Sequence, residues 1–126
     1  MGYVTRIVII GGGPGGYEAA LVGAQLGAQV TVVERDGPGG ACVLTDCVPS
    51  KTMIATSVRK QALLDASHVG VTFTGGPDGD VGQVWTDLPL VNRRVKELAQ
   101  AQSNDIAARL AAEGVEGIKA EGRLVD

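Results

Sequence analysis

Cys42 and Cys47 are the only cysteines in the chain and bound a six-residue span. A thiol pair at this spacing can work as a redox couple, ligate a metal, or be two small buried apolar residues. A close pair is seldom a structural staple where thiols are kept reduced. A disulfide can close across the span if the chain loops back on itself. Pro49 suits the first turn of a helix. That places Cys47 at the helix N-terminus, where the dipole favours a thiolate. Lys51 adds positive charge one turn further on, whereas Asp46 sets a negative charge beside the same sulfur.

The second constellation is Gly11-Gly12-Gly13-Pro14-Gly15-Gly16, which contains Gly-x-Gly-x-x-Gly. The string alone is weak, but it follows an apolar run and opens a helical one. Gly11 permits the sharp turn, Gly13 lets the backbone approach a pyrophosphate, and Gly16 lets the helix pack on the sheet. Backbone N–H groups and the positive helix end then face two phosphates. Glu34 ends the next apolar run, 18 residues after Gly16. It is placed to accept hydrogen bonds from a ribose diol and disfavours a 2′-phosphate. The expected dinucleotide contacts are Gly11, Gly13, Pro14, Gly15, Gly16, Glu34 and the adjoining Arg35. This fingerprint does not separate FAD from NAD.

The elements that must position these residues follow from hydrophobic periodicity. Residues 4–10 are a short Ile/Val run that predicts a strand buried on both faces. Tyr17 to Leu26 predict a helix slimmed by Ala19, Ala20 and Ala24 and closed by Gly27. Gln29 to Glu34 predict a second strand, completing a βαβ-sized unit. Gly37 to Gly40 form a loop, and Pro49 to about Ala66 are helical. Residues 74–82 form a loop by composition. Leu88 to Glu113 predict a long helix with Asp87 as N-cap and Pro89 in the first turn. Its inward positions are read as Val91, Val95, Leu98, Ala99, Gln102, Ile106 and Leu110, with Gln102 the polar break. Gly114 ends it, Val115 to Ala120 predict a third strand, and residues 122–126 begin another element. The expected fold is α/β, a partial Rossmann-like parallel sheet with strand 4–10 central.

The chain has 126 residues, enough for one domain with a core. Aromatics are 3%, so packing rests on Val, Leu, Ile and Ala. A net charge of −3 leaves no footprint for nucleic acid, and Arg59-Lys60 and Arg93-Arg94 read as solvated helix faces. No apolar run is long enough to span a membrane, and the opening run is too short for a signal peptide. The expected location is therefore cytoplasmic. The single histidine, His68, reads as a surface residue at a helix end, with no metal partner in sequence.

Gly39-Gly40-Ala41-Cys42-Val43-Leu44-Thr45-Asp46-Cys47-Val48-Pro49-Ser50-Lys51 closely resembles the redox-active segment of the pyridine nucleotide–disulfide oxidoreductases. The likeness runs from the glycine fingerprint to the third strand. It implies FAD as the cofactor and NAD(P)H as the electron donor of the parent enzyme. It implies that Cys47 contacts the flavin, that Cys42 is the interchange thiol attacking a disulfide, and that Lys51 lies beside the reactive flavin nitrogen. Gly39, Gly40 and Ala41 would approach the flavin and its ribityl chain. Leu44 and Asp46 stand where the family usually has Asn and Gly, and Pro38 replaces a common apolar residue. The wording from Ala41 to Thr52 is similar to that of a quinone-reducing branch.

The resemblance also implies parts that these residues do not contain: a nicotinamide-binding domain, and an interface domain supplying a His-Glu pair across a homodimer. Residues 1–126 are therefore expected to be the N-terminal part of an FAD-binding domain and inactive alone. The expected electron acceptor is a small-molecule disulfide, as for dihydrolipoamide dehydrogenase, with direct transfer to a quinone as the alternative. A nucleotide-binding module without redox activity is the rival from another class.

Overall fold

A computed structural model of the chain describes residues 4–71 and 84–125. The loop expected at 74–82 lies outside the described residues. Strand β1 (Arg6–Ile10) leads through the glycine turn to helix α1 (Pro14–Gln25) and strand β2 (Gln29–Glu34). A short helix α2 (Gly40–Leu44) precedes helix α3 (Cys47–Leu64), which ends in a 3₁₀ turn at Ala66–Val69. Helix α4 (Leu88–Ala112) then runs back to strand β3 (Glu116–Lys119).

The three strands are parallel in the order β1-β2-β3. Arg6 pairs with Gln29 and Ile10 with Val33, while Thr31 pairs with Glu116 and Glu34 with Lys119. The central strand is thus β2, not β1 as the longer apolar run suggested. Val30 and Val32 are both 4% exposed and meet α1 on one side and the end of α4 on the other. Gly114 turns α4 directly onto the free edge of β2, which leaves β1 at the sheet margin.

One face of the sheet is packed. Ala20 and Leu21 of α1, Ile106 and Leu110 of α4, and Val43 of α2 cluster on Val30 and Val32, with Ile7 and Ile9 alongside. The expectation that β1 is buried on both faces fails. Val8 is 67% exposed and Ile10 48%, because both long covering helices lie on the opposite face. Residues 121–125 pass near Ile10 and Val33 without forming the further element expected there.

Both long connections end as the sequence suggests. Gly27 N–H donates to the Ala24 carbonyl and Ala28 N–H to that of Gly23. Gly114 and Val115 repeat the pattern onto Ala111 and Leu110. These paired bonds satisfy carbonyls that a helix end leaves orphaned. At the other end of α4, Asp87 Oδ1 accepts from Leu90 N–H at 2.9 Å, a side-chain N-cap. The buried stripe of α4 is Val95, Ala99, Ser103, Ile106 and Leu110. The inward polar residue is therefore Ser103. Gln102 and Leu98 point outward, because the i, i+4, i+7 spacing from Ala99 runs through Ser103 to Ile106.

Candidate dinucleotide and dithiol site

The glycine turn leaves β1 at its C-terminal end, where ligands of open parallel sheets bind. Gly11 N–H donates to Val33 O at 2.8 Å, so the turn continues the β1–β2 ladder for one more residue. Helix α1 starts at Pro14, three residues earlier than its periodicity indicated, because Pro14 takes a first-turn position needing no donor. Pro14, Gly15 and Gly16 thus form the first turn itself. Its N–H groups have no partner within the helix, and it carries no acidic side chain. Gly16 is dictated by contact: a Cβ there would collide with the Gly11 carbonyl and press on Ile9.

Glu34 closes the turn from β2. Its Oε2 accepts from Gly12 N–H at 2.7 Å and its Oε1 from Asp36 N–H at 2.8 Å. Partial burial pushes this carboxyl up, but the backbone N–H groups of Asp36, Gly12 and Gly37 prevail and hold it below its ordinary value. Arg35 points away and pairs with Asp36 at 3.1 Å on the exposed surface. A cavity of about 330 Å³ opens beside Glu34, walled by Gly12, Val32, Pro38, Ser103 and Ile118. Its walls are mostly apolar with carboxylates at one edge, a shape suited to a planar base carried on a ribose.

The loop 37–40 joins this half to the cysteines. Gly39 N–H donates to Gly12 O at 2.7 Å. Gly39 takes a φ of 95°, and a Cβ on it would collide with Val43, so the position is open to glycine alone at little cost. Gly40 lies so close to the turn that a Cβ on it would stand 3.1 Å from Gly13 Cα.

From Gly40 the chain winds into α2, a helix that the sequence pattern does not predict, and Cys42 is its third residue. Thr45 and Asp46 N–H groups both return to Ala41 O at 2.9 Å, reversing the chain. Asp46 then caps α3 by position, and Cys47 is the first residue of that helix. The reversal brings the two thiols together: both are free, and Cys47 is the neighbour that acts most strongly on Cys42. Cys47, with partial burial and the Asp46 charge, pushes the Cys42 thiol up, against the pull of Lys51.

The structure therefore brings Gly11, Gly13, Pro14, Gly15, Gly16 and Glu34 to one end, and Cys42, Cys47 and Lys51 to the other, bridged by Gly39, Gly40 and Ala41. Arg35 alone is turned outward. Gly12 and Ser103 went unnoticed in sequence. Gly12 occupies a variable position of the fingerprint and acts through its backbone. Ser103 carries no signal in the sequence, being one of several polar residues in the long helix. Among the described residues no cluster of His, Cys, Asp and Glu is suited to a metal ion, and no described helix is long and apolar enough to cross a membrane.

A profile of the pyridine nucleotide-disulphide oxidoreductases matches residues 5–126. The chain belongs to that family. An NAD(P)H dehydrogenase (quinone) of Mycobacterium tuberculosis is 50% identical over 98% of the chain, which spans 24% of that protein. Dihydrolipoyl dehydrogenase 2 of Haloarcula marismortui is 49% identical over 66% of the chain and is matched over 18% of its own length. The crystal structure of LpdA from Mycobacterium tuberculosis superposes with a TM-score of 0.83 at 49% identity, covering 98% of the chain and 25% of LpdA. The chain thus spans about a quarter of the length of these relatives. The partial Rossmann-like sheet and the oxidoreductase family both stand, and the family's small-molecule redox chemistry frames the site.

Proposed function

We propose that the chain is the FAD-binding portion of an NAD(P)H-dependent oxidoreductase that passes electrons to the Cys42–Cys47 pair and on to a disulfide substrate. The observation that carries this reading is the bridge from Gly13 through Gly40 to Cys42 and Cys47, which sets a dithiol beside a dinucleotide turn. The glycine turn and the first turn of α1 would hold the pyrophosphate, Glu34 the ribose, and the cavity beside it the adenine. Arg35 at the rim would contact the adenosine half only if it left Asp36. Gly39, Gly40 and Ala41 would border the ribityl chain, with Lys51 beside the ring. When bound, the flavin supplies two-electron chemistry between nicotinamide and sulfur.

The thiols then do the rest. Cys42, deprotonated, attacks one sulfur of the substrate disulfide and releases one substrate thiol. Cys47 attacks the mixed disulfide, releases the second thiol and leaves Cys42–Cys47 oxidised. Cys47 would be the sulfur facing the flavin and Cys42 the one facing substrate. A cytoplasmic setting, where thiols stay reduced, suits such a couple, and the parent enzyme would be a homodimer.

One observation favours a second acceptor. At nearly full coverage the quinone dehydrogenase relative is 50% identical, against 31% for dihydrolipoyl dehydrogenase of Geobacillus stearothermophilus. In that reading a quinone takes electrons directly from the flavin. The test is visible absorbance after loading with FAD and desalting, followed by reduction. Retained flavin colour with a long-wavelength band that Cys47→Ser abolishes supports the dithiol reading. Quinone turnover unaltered in Cys47→Ser assigns that activity to direct transfer. A folded, colourless protein that binds NAD or ADP instead overturns the choice of FAD.

A further inference from the structure

Ser103 is the buried polar side chain of the described core, 3% exposed in a stripe that is otherwise apolar. A serine inside a helix ordinarily turns its hydroxyl to solvent or to the carbonyl one turn back. Ser103 does neither. Its Oγ donates to Pro38 O at 2.6 Å, 65 residues away in sequence. Alanine would satisfy the helix and the packing without burying a hydroxyl, so the group's role lies in what it holds.

It holds the loop that joins the two halves of the site. Pro38 lies between Gly37, on which a Cβ would stand 3.3 Å from Ser103 Oγ, and Gly39, whose N–H is bonded to the glycine turn. The loop is thus clasped from below by α4 and from the side by Gly12. Gly40 begins α2 immediately afterwards and meets Gly13. Gly12 and Glu34 hold the loop from the sheet side, and Ser103 is its hold from α4.

We infer that Ser103 is a positioning residue: from α4 it fixes the Gly37–Gly40 loop against the phosphate turn and so sets where Cys42 stands relative to the bound dinucleotide. The cofactor half of this statement rests on the FAD reading above.

The test compares Ser103→Ala with Val95→Ala, a core change two turns earlier in the same helix, in the purified protein. Two quantities are read: amide exchange at Gly39 by NMR, and the FAD dissociation constant. Loss of one buried hydrogen bond is expected to speed exchange at Gly39 by roughly fivefold to tenfold relative to the β1–β2 amides. It should also weaken FAD several-fold. Val95→Ala should shift both sets of amides together and leave FAD affinity near wild type. Equal Gly39 protection in the two variants overturns the inference, as does faster exchange with unchanged FAD affinity. If wild type holds no FAD but binds NAD or ADP instead, the cofactor reading fails, and the exchange comparison alone still decides whether Ser103 fixes the loop.

Discussion

Glu34 uses both carboxylate oxygens on backbone amides, so it is a strut of the glycine turn as well as the proposed ribose acceptor. Its carboxyl is held below the ordinary value in the folded chain. The stabilisation it gives is therefore fully present above the unfolded glutamate value of about 4.3 and is lost as pH falls through the lower folded one. Glu34→Gln should be less stable than wild type at neutral pH, and the gap should narrow on acidification, as read by denaturant midpoints across that range. At Cys42 the shift runs the other way. Alkylation of reduced Cys42 by iodoacetamide should set in at higher pH than for a free cysteine. Cys47→Ala and Asp46→Asn should each move the onset down, and Lys51→Ala should move it up. Glu34 was legible in sequence because position alone, the end of the second strand, assigns its role. Gly12 was not, since a residue that acts through its N–H and C=O leaves no signature in its side chain. Ser103 was not, since its partner is far away in the chain.

Helices and turns were the most legible elements, where their ends carry chemistry of their own. Asp87, Gly27 and Gly114 stop or start helices where composition alone places them. Replacing Asp87 with Ala should cost about 1 kcal/mol, visible as a lowered Tm. Gly16→Ala should cost about 1–3 kcal/mol through overpacking and also weaken the dinucleotide, since the Gly11 carbonyl must move to make room. Equal FAD affinity in Gly16→Ala would show that the turn can relax without disturbing the phosphate site. Strand order was not legible. An Ile/Val run of seven residues argues for burial, but only the path of α4 decides which edge receives β3. The helix α2 was hidden for a different reason: Gly39 and Gly40 read as breakers, whereas their positive φ values here launch a turn of helix.

At the scale of the molecule, the described residues cover the sheet on one face only. Val8, Ile10 and Ile118 lie on the other face with 67%, 48% and 43% of their surface exposed. Parallel sheets are ordinarily covered on both sides. The chain alone should therefore bind a hydrophobic dye and self-associate as concentration rises, and Val8→Thr should weaken both, as followed by dye fluorescence and sedimentation. The third strand adds a temporal consequence. Strands β1 and β2 are joined through α1 by a short, local crossover. By contrast, Thr31 Oγ1 meets Glu116 Oε2 at 3.0 Å across 85 residues of chain. Closing that long loop carries an entropy cost that the local unit escapes. The glycine turn and Glu34 can thus assemble early, as half of the proposed dinucleotide cradle. The cavity wall from β3 and the α4 clasp on the loop arrive only when the chain has come full circle. A dinucleotide present during refolding meets the anchor before the pocket, and should speed the late step by favouring the form in which both exist.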